Sequence, residues 1–212
     1  MLDLTGAEVL SSGAYRTCFV HPDDASLCVK VIHERGHARL TRDKRPWRHA
    51  PLDPNRRELL GYARIAELGE AARRWFVPVH GMIDTSRGPG LVVERLGVDV
   101  TQLSMKEWLA EPAAYPEVDR DEVLARLDDY AAVCLAAGLH GSALGRENIA
   151  LIPHGEGGLR LIAFDVKVTE SKTLLPFIGD LPAARRRRIR RRAETLRRLV
   201  TGISPHSGPS NE

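Results

Sequence analysis

Bulky aromatic side chains are scarce in this chain, and it lacks the features that mark a secreted or membrane-spanning protein. Aromatic residues make up 5% of its 212 residues, so the core must be built mainly from Leu, Val, Ile and Ala. No apolar run approaches the roughly 20 residues that cross a bilayer. The start MLDLTGAEVL lacks the basic and apolar regions of a signal peptide. We therefore expect a soluble, cytoplasmic protein of one domain or two small lobes.

Cysteine is scarce too, which argues against a cysteine-based metal site. The three cysteines are an odd number and form no Cys-x-x-Cys pair. Cys18 and Cys28 could face each other across a hairpin centred near Asp23. In a reducing cytosol we expect these two residues to be buried thiols rather than a disulfide.

Acidic residues are almost absent from one segment near the C-terminus. Residues 185–198, RRRRIRRRAETLRR, hold nine arginines and one glutamate, whereas the remaining chain has 22 basic and 27 acidic residues. The segment predicts a solvated helix on which Ile189, Leu196 and Leu199 pack inward and several arginines pair with the acidic body. Two alternatives stay open. One is a nucleic-acid site, which would depend strongly on salt. The other is an anionic membrane surface, for which bulky apolar anchors are lacking.

Hydrophobic periodicity and turn residues predict three hairpins separated by helices. Strands come first and helices later, which indicates an α+β protein with two lobes rather than a parallel βαβ sheet. The polar, proline-containing stretch 33–54 is expected to be a mobile loop. The predicted elements are strands 8–20 and 27–32 around a turn at 21–26, a helix 55–68 between an Asn55 cap and Gly69, strands in 76–84 and 91–96 around 85–90, helices 104–110 and 119–137 with Asp119 as cap and Gly138 as stop, a hairpin over 149–164, and a helix through 185–198 before a disordered tail.

Lys30 interrupts an apolar strand, LCVKVI, and points to the face opposite Val29 and Val31. On an exposed face it would be an ordinary surface lysine, whereas in a cleft its ammonium could meet phosphate. Glu58 on the following helix, in NRRELLGY, favours the cleft, because a long and flexible lysine needs a carboxylate to hold it in one geometry. A lysine strand, a loop and a glutamate helix in this order match the Lys–Glu pair of protein kinases.

Asp165 ends a later apolar strand, in RLIAFDVKV, and Asn148 precedes the hairpin that leads to it. A lone aspartate at such a place is more often a turn residue or a helix cap. If 149–164 forms a hairpin, however, the Asp165 carboxylate and the Asn148 amide oxygen lie close together. Because Mg²⁺ prefers hard oxygen ligands, the two residues predict a metal site on the phosphates of a nucleotide.

The chain resembles the protein-kinase-like superfamily and, more closely, the bacterial PhoP-regulatory-network protein YrbL family. The resemblance covers most of residues 8–200 and is carried by GAYRTCFVHPDDASLCVKVIH, RRELLGYARIAELG, FVPVHGMIDTSRGPGLVVERL, LGRENIALI and LRLIAFD. It implies a two-lobed kinase-like fold with an antiparallel N-lobe sheet over 1–97. An abbreviated helical C-lobe over 98–200 would end in the Arg-rich helix, and 201–212 would be a disordered tail.

By this resemblance Lys30 is the phosphate-binding lysine and Glu58 is its partner on the helix. Asn148 and Asp165 are the metal-binding pair, and Lys30 and Asp165 together are the remaining catalytic residues. The implied cofactors are ATP and Mg²⁺. A basic tail helix also fits the family, which favours a structural or partner-docking role for the Arg-rich segment.

The resemblance further identifies the residues around the nucleotide base and phosphates. Glu94 and Leu96, in LVVERL, would fall at the hinge beside the adenine, where backbone groups make the hydrogen bonds. The turn SSGAYR replaces the glycine-rich loop and contains only Gly13. Its backbone therefore cannot approach phosphates as freely as a loop with three glycines.

Ala143 stands where the kinase pattern places its catalytic aspartate, five residues before the metal-binding asparagine. An alanine can neither accept a proton nor orient a hydroxyl, and loss of a positioned base costs about 10²–10⁴-fold in rate. The nearby groups that could substitute are His140, Ser142 and Glu147. After Asp165 the chain reads VKV instead of Phe-Gly, and the short remainder leaves little room for a peptide-binding platform.

These features predict a kinase-like protein that binds ATP and Mg²⁺. It would be either a weak phosphotransferase, with an unidentified protein or small-molecule substrate, or a pseudokinase with a regulatory role. A second hypothesis is a binding module that uses Arg185–Arg198 to dock nucleic acid or an acidic partner. A third is a sugar or small-molecule kinase, for which the sequence contains no substrate-reading motif.

Overall fold

The N-terminal lobe is built on a five-stranded antiparallel sheet. The computed structural model describes residues 1–42, 53–96, 103–139, 141–154, 158–166 and 182–202. Within them the sheet has the order β1-β2-β3-β5-β4, and β4 and β5 form the second predicted hairpin. The strands are β1 (Val9–Ser12), β2 (Arg16–His21), β3 (Asp24–Ile32), β4 (Val79–Thr85) and β5 (Gly88–Glu94).

The two faces of this sheet cover different apolar cores. Alternation along β3 puts Val29 and Val31 on one face, where they are buried with Phe19. Cys28 and Lys30 lie on the other face, and Cys28 is buried in a cluster that includes side chains of the C-terminal lobe. The Lys30 side chain therefore emerges on the side of the sheet that faces the second lobe.

The first predicted strand, 8–20, is two strands. The small-residue turn predicted at SSGAYR separates β1 from β2 and reverses the chain around Gly13. The next turn is tighter than expected, since β3 begins at Asp24 rather than at residue 27. Two residues thus connect β2 and β3, a loop length common in antiparallel hairpins.

Cys18 and Cys28 are free thiols, and the predicted burial holds for Cys28 but not for Cys18. In the β2–β3 register Cys18 lies opposite Lys30, and Cys28 lies opposite Val20. The two cysteines are therefore diagonal neighbours and not a directly facing pair. Cys28 is buried, whereas Cys18 is half-buried.

Helices accompany the sheet and correct two predictions. A helix over Glu34–Arg42, α1, overturns the first part of the loop predicted at 33–54, of which 43–52 lie outside the described residues. The N-cap of the second helix is Asp53, whose side chain accepts from the Asn55 amide, and Pro54 takes the first turn, where no amide donor is needed. The predicted Asn55 cap is therefore wrong. The helices are α1 (Glu34–Arg42), α2 (Pro54–Ala66) and α3 (Glu70–Arg73).

The C-terminal lobe packs helices against a three-stranded sheet of order β6-β7-β8. Its core includes Trp108 and Tyr130, which are 1% and 0% exposed. The long helix α5 begins after Asp119, whose carboxylate accepts from the Glu122 amide, and stops before Gly138, whose φ is 60°, as predicted. The elements are β6 (Leu103–Ser104), α4 (Met105–Ala110), a 3₁₀ turn Pro112–Ala114, α5 (Arg120–Ala136), 3₁₀ turns Gly141–Leu144 and Arg146–Asn148, β7 (Ile149–His154), β8 (Gly158–Ala163) and α6 (Pro182–Thr201).

The Arg-rich helix, α6, packs on α5 through one apolar face. Ile189, Leu196 and Val200 are buried along that face, at a spacing that returns to the same side of a helix. Leu199 is 42% exposed, so its predicted inward role is wrong and Val200 takes that role. The reason is geometric, because Leu199 lies off the line that joins the three buried residues.

An ion pair between Arg197 and Asp128 also holds α6 against α5, which is one of the predicted pairings of the basic helix with the acidic body. The helix continues to Thr201, so this residue does not belong to the predicted tail. Residues 203–212 of that tail, like the predicted lobe boundary at 97–98, lie outside the described residues. Among the helices that the structure describes, none has the length and apolar character required to cross a membrane.

The two lobes meet through a short backbone pairing and a shared apolar cluster. The Ala163 amide donates to the Trp75 carbonyl at 2.8 Å, and the Val77 amide donates to the Ala163 carbonyl at 3.0 Å. The end of β8 is thus fixed beside the segment between α3 and β4. The shared cluster, here the interlobe cluster, contains Cys28, Val77, Leu91 and Val93 from the first lobe and Ala150, Ile152 and Ile162 from the second.

Candidate functional site

Lys30 and Glu58 form a buried ion pair between the sheet and α2. Lys30 Nζ donates to Glu58 Oε1 at 2.6 Å, and the side chains are 13% and 4% exposed. β3 directs Lys30 to the face that looks at the second lobe, and α2 presents Glu58 to it. The predicted contact is therefore present, whereas its role in nucleotide binding stays a prediction.

Arg16 of β2 joins this pair and is the candidate site residue that sequence reasoning missed. Its Nη1 donates to Glu58 Oε2 at 2.6 Å and to Asn55 Oδ1 at 3.0 Å, and its Nη2 forms an ion pair with Asp165. Arg16 thus connects α2 with the residue that follows β8. A signal was available in the kinase pattern G-x-G-x-x-G, where Gly13 matches the middle glycine and Arg16 stands in place of the third.

The Asn55 carboxamide links the Arg16 side chain to the backbone of Lys30. Its Oδ1 accepts from Arg16, and its Nδ2 donates to the Lys30 carbonyl at 2.9 Å. Asn55 is 0% exposed, so these bonds replace the water that the amide would otherwise meet. The residue is therefore a structural bridge within the site, because Asp53 performs the capping that the sequence assigned to Asn55.

Two cations meet two carboxylates in what we call the charged cluster, Arg16, Lys30, Glu58 and Asp165. Burial disfavours the charged form of Glu58, but the attraction of Lys30 and Arg16 outweighs burial and lowers the pKa of Glu58 to about 2. Burial also acts against the charged guanidinium, yet Glu58 and Asp165 raise the pKa of Arg16 above its ordinary value. Each buried charge is thus stabilised by an opposite one.

Asn148 and Asp165 flank the β7–β8 hairpin, as predicted. The Phe164 amide donates to the Asn148 carbonyl at 3.0 Å, which keeps the two ends of the hairpin together. Asp165 itself has a φ of 59°, in the left-handed region that few residues other than glycine adopt. The extended backbone therefore does not continue through Asp165, and the carboxylate of this residue forms an ion pair with Arg16.

Gly61 allows α2 to approach the segment that carries Asp165. A β-carbon at Gly61 would lie 3.0 Å from the Val166 carbonyl oxygen, which is tighter than an ordinary contact. The helix that carries Glu58 and the segment that carries Asp165 are consequently packed backbone to backbone. This close approach places both carboxylates within reach of the same arginine.

The predicted Mg²⁺ site does not fit the structure while Arg16 is in place. Asn148 and Asp165 offer the oxygen atoms that the ion prefers, but the Asp165 carboxylate is ion-paired to Arg16. Within the described part of the chain, no three His, Cys, Asp or Glu side chains converge on one point. A divalent cation beside Asp165 would have to displace the guanidinium or share the carboxylate with it.

The turn that replaces the glycine-rich loop is anchored by residues of α1 and of the segment before it. The Gly13 amide donates to the Arg16 carbonyl at 2.8 Å and closes the turn. His33 Nε2 lies 3.1 Å from the Gly13 carbonyl oxygen, and Arg39 Nη1 donates to the Ala14 carbonyl at 3.2 Å. The backbone of the turn that precedes Arg16 is therefore held in place by hydrogen bonds from His33 and Arg39.

Ala143, which the resemblance places where kinases have their catalytic base, is 0% exposed and belongs to the core of the C-terminal lobe. Its carbonyl accepts a hydrogen bond from the Tyr130 hydroxyl at 2.8 Å, and burial raises the pKa of Tyr130. Of the predicted substitutes for a base, Glu147 is exposed on the last 3₁₀ turn. His140 and the Ser142 side chain lie outside what the structure describes.

The predicted hinge follows β5 at the edge of the interlobe cluster. Glu94 ends the strand, and its amide donates to the Pro78 carbonyl at 3.0 Å. Leu96 packs half-buried against the interlobe cluster, and so do Leu10 and Cys18. These partly exposed side chains form an apolar rim on the face of the sheet that also carries Lys30.

An antiparallel first lobe, a lysine–glutamate pair and a helical second lobe together define a protein-kinase-like fold. The crystal structure of the Mycobacterium tuberculosis PknI kinase domain matches this chain with a TM-score of 0.54, over 95% of this chain and 77% of that chain. The two sequences are 16% identical, so the likeness shows the fold. The predicted α+β, two-lobed kinase-like fold is therefore confirmed.

The family follows from the sequence match. The family model for the PhoP regulatory network protein YrbL matches residues 2–201, and the chain belongs to this family, as predicted. The YrbL proteins of Escherichia coli (strain K12) and Shigella flexneri are each 33% identical to it over 96 residues. That match covers 44% of this chain and 39% of each curated relative, so it spans well under half of their length.

Proposed function

We propose that this protein binds ATP between its lobes and acts as a regulatory, kinase-like protein rather than as an efficient phosphotransferase. The observation that carries the proposal is the buried Lys30–Glu58 ion pair, with 2.6 Å between Nζ and Oε1. Removing two charges from water is costly, so a pair like this is weak evidence for a purely stabilising role. In protein kinases the same pair holds the lysine against the nucleotide phosphates.

The interlobe cluster supports the binding of a base. Its apolar rim of Leu10, Cys18 and Leu96 offers the kind of surface on which an adenine is bound. Backbone groups near Glu94 and Leu96 would provide hydrogen bonds, and the turn at Gly13 would cover the phosphates. These are the roles that the resemblance to protein kinases implies for these residues.

Phosphoryl transfer is expected to be weak. Position 143 is an alanine and offers no carboxylate to act as a general base. Loss of a general base lowers the rate of the chemical step by about 10²–10⁴-fold. Any transfer would be to an unidentified protein or small-molecule acceptor. The Mg²⁺ that the sequence assigns to Asn148 and Asp165 would enter only where the Arg16–Asp165 ion pair opens. A pseudokinase role agrees with membership of a family described by a regulatory network.

A thermal-shift titration with ATP, with and without Mg²⁺, tests the proposal. ATP at 100 times its Kd stabilises a protein by about 2.7 kcal/mol, so the melting temperature of the wild type should rise clearly. Lys30→Ala should lose the response, whereas Lys106→Ala, exposed on α4, should keep it. No response in the wild type, or an equal response in Lys30→Ala, contradicts the proposal. A parallel GTP titration establishes the nucleotide preference.

The surface of α6 favours a second function, the docking of nucleic acid or an acidic partner. Arg186, Arg187, Arg190 and Arg191 are exposed, while Ile189 on the same helix is buried. Several arginine–phosphate contacts would give an affinity that falls steeply with salt. Retention on heparin or duplex DNA at low salt, lost when these four arginines are changed to Gln, supports this function. Unchanged retention in that variant, or none in the wild type, contradicts it.

A further inference from the structure

Arg16 stands where a cation is expected beside Asp165. Its Nη2 forms an ion pair with the Asp165 carboxylate, and the two side chains are 12% and 23% exposed. In the kinase pattern that carboxylate holds the metal ion which neutralises the phosphates. The position next to Asp165 is therefore already filled by positive charge from the chain itself.

Among the four described residues of the charged cluster, the charges balance without a metal. The kinase pattern contains one cation and two carboxylates at this place, which correspond here to Lys30, Glu58 and Asp165. These three residues carry one positive and two negative charges. Arg16 adds the missing positive charge and contacts both carboxylates. A divalent ion added to the complete charged cluster would leave it with an excess of two positive charges, which the existing carboxylates could not offset.

The geometry of Arg16 suits a permanent cation. Its guanidinium is planar, always charged and covalently attached to the chain, whereas a metal ion can diffuse away. Asn55 and Glu58 hold Nη1 at 3.0 and 2.6 Å, and the backbone of the residue closes the turn at Gly13. Among the described residues, the contacts to Asn55, Glu58 and Asp165 use three of its five N–H groups, which leaves two for phosphate oxygens.

We propose that Arg16 is a built-in counter-ion that takes the place of the divalent metal beside Asp165, so that the cleft binds nucleotide phosphates without Mg²⁺. The second half of this statement rests on the proposed nucleotide binding. The first half concerns only the exclusion of a metal ion and holds for the protein without any nucleotide. The two halves are therefore tested separately.

The first experiment is a Mn²⁺ titration of the nucleotide-free protein, in which free Mn²⁺ is measured by electron paramagnetic resonance. Arg16→Gln removes the charge but keeps a side chain that can form hydrogen bonds, and it should gain one Mn²⁺ site over the wild type. The double variant Arg16→Gln with Asp165→Asn should lose that site. Arg16→Lys restores the charge and should bind no more Mn²⁺ than the wild type. Absence of the gain in Arg16→Gln, or an equal site in the wild type that needs Asp165, overturns the proposal.

The second experiment measures the Kd of ATP in EDTA and in Mg²⁺. The wild type should bind with the same Kd within about twofold, because its cation is already present. Arg16→Gln should bind at least about tenfold more weakly in EDTA, the loss expected for a charge-assisted hydrogen bond, and should regain affinity in Mg²⁺. A wild type that binds ATP only with Mg²⁺ overturns the proposal, and this arm needs no variant to fold.

Failure of the proposed function is distinguishable from failure of this inference. A wild type that binds ATP under neither condition refutes nucleotide binding, while the Mn²⁺ titration still decides the role of Arg16. Circular dichroism melts of the Arg16 variants establish that each one is folded before its ligands are measured. If Arg16→Gln does not fold, the wild-type comparison of EDTA with Mg²⁺ decides.

Discussion

Arg16 and Asp165 are 149 residues apart in the sequence and form an ion pair in the fold. Arg16 projects from β2 of the first lobe, and Asp165 follows β8 of the second, so the pair crosses the boundary between the lobes. The low exposure of both side chains reduces screening by salt relative to a surface pair. A ligand that binds beside this ion pair therefore has to compete with, or make use of, a contact that already joins the lobes.

Glu58→Gln should remove an acid-sensitive part of the stability. The pKa of Glu58 is lowered from 4.5 to about 2 in the folded protein, so folding favours its charged form. This contribution is complete above pH 4.5 and is lost as the pH falls to about 2, because the folded carboxylate then takes up its proton. It is on the order of 3 kcal/mol in the free energy of unfolding.

Urea denaturation across that pH range measures the effect of Glu58→Gln. The wild type should lose more stability towards acid than the variant does. Glu67→Gln, an exposed change at the end of the same helix, should keep the acid dependence of the wild type. Parallel curves for the wild type and Glu58→Gln would show that this carboxylate is not held in its charged form.

Gly36→Ala should destabilise the protein by displacing the turn between β1 and β2. A β-carbon at this position would lie 2.1 Å from the Tyr15 carbonyl oxygen. This oxygen belongs to the backbone, so it cannot rotate away as the end of a flexible side chain could. We expect a loss of about 1–3 kcal/mol, the range for overpacked sites. Thermal melts should show it. Gly13→Ala is the control, since its β-carbon would lie 3.8 Å from the Arg16 carbonyl oxygen, an ordinary contact. Equal melting temperatures for the two variants would contradict the close packing of α1.

Ala143→Asp should lower stability without creating an efficient kinase. Ala143 is 0% exposed in an apolar core, so a carboxylate there would be buried without a partner. The cost is roughly 2 kcal/mol or more. Ala125→Asp, exposed on α5, should cost well under 1 kcal/mol, mainly in helix propensity. Melting curves and a phosphoryl-transfer assay measure both properties. A stable Ala143→Asp variant with strongly increased transfer would show that the site lacks only its base.

Cys18 should be the most reactive thiol. A hydrogen bond from Cys28 lowers the pKa of Cys18, with support from Lys30 and Arg16, although partial burial opposes it. The hydrogen bond to Cys18 and burial raise the pKa of Cys28, and burial raises the pKa of Cys134 to about 12. Because the thiolate is the reacting form, iodoacetamide at pH 8 should label Cys18 at least about tenfold faster than the other two. Peptide mass spectrometry measures this, with Cys18→Ser as control. Comparable labelling of Cys134 would contradict the prediction.

Features encoded by neighbouring residues were predicted correctly. The helix α5 begins at the Asp119 cap and stops before Gly138, because a capping side chain and a glycine with positive φ act within one turn. The β7–β8 hairpin was predicted as well. The Lys30–Glu58 contact was also predicted, from the direction of Lys30 on its strand and from an order of strand, loop and helix that matches the kinase pair.

Features that depend on a distant partner were missed. Asn55 is a residue type that often caps helices, but Asp53, which precedes Pro54, takes that role. The Asn55 side chain instead bridges Arg16 and the backbone of Lys30. Residues 33–42 were predicted to be a loop because they are polar, but most of them form α1. This helix packs against the β1–β2 turn at Gly36, and no local sequence pattern marks Gly36 as a contact.

By itself the sequence determined the α+β class, the order of hairpins and helices, and a lysine and a glutamate placed to meet. Only the tertiary structure decided that Arg16 completes the site. Its partners, Glu58 and Asp165, lie 42 and 149 residues away in the chain, and such a meeting is set by how the lobes pack. The physical reason is that periodicity and capping act over one or two turns of chain, whereas an ion pair depends on distances that exist only once the chain has folded.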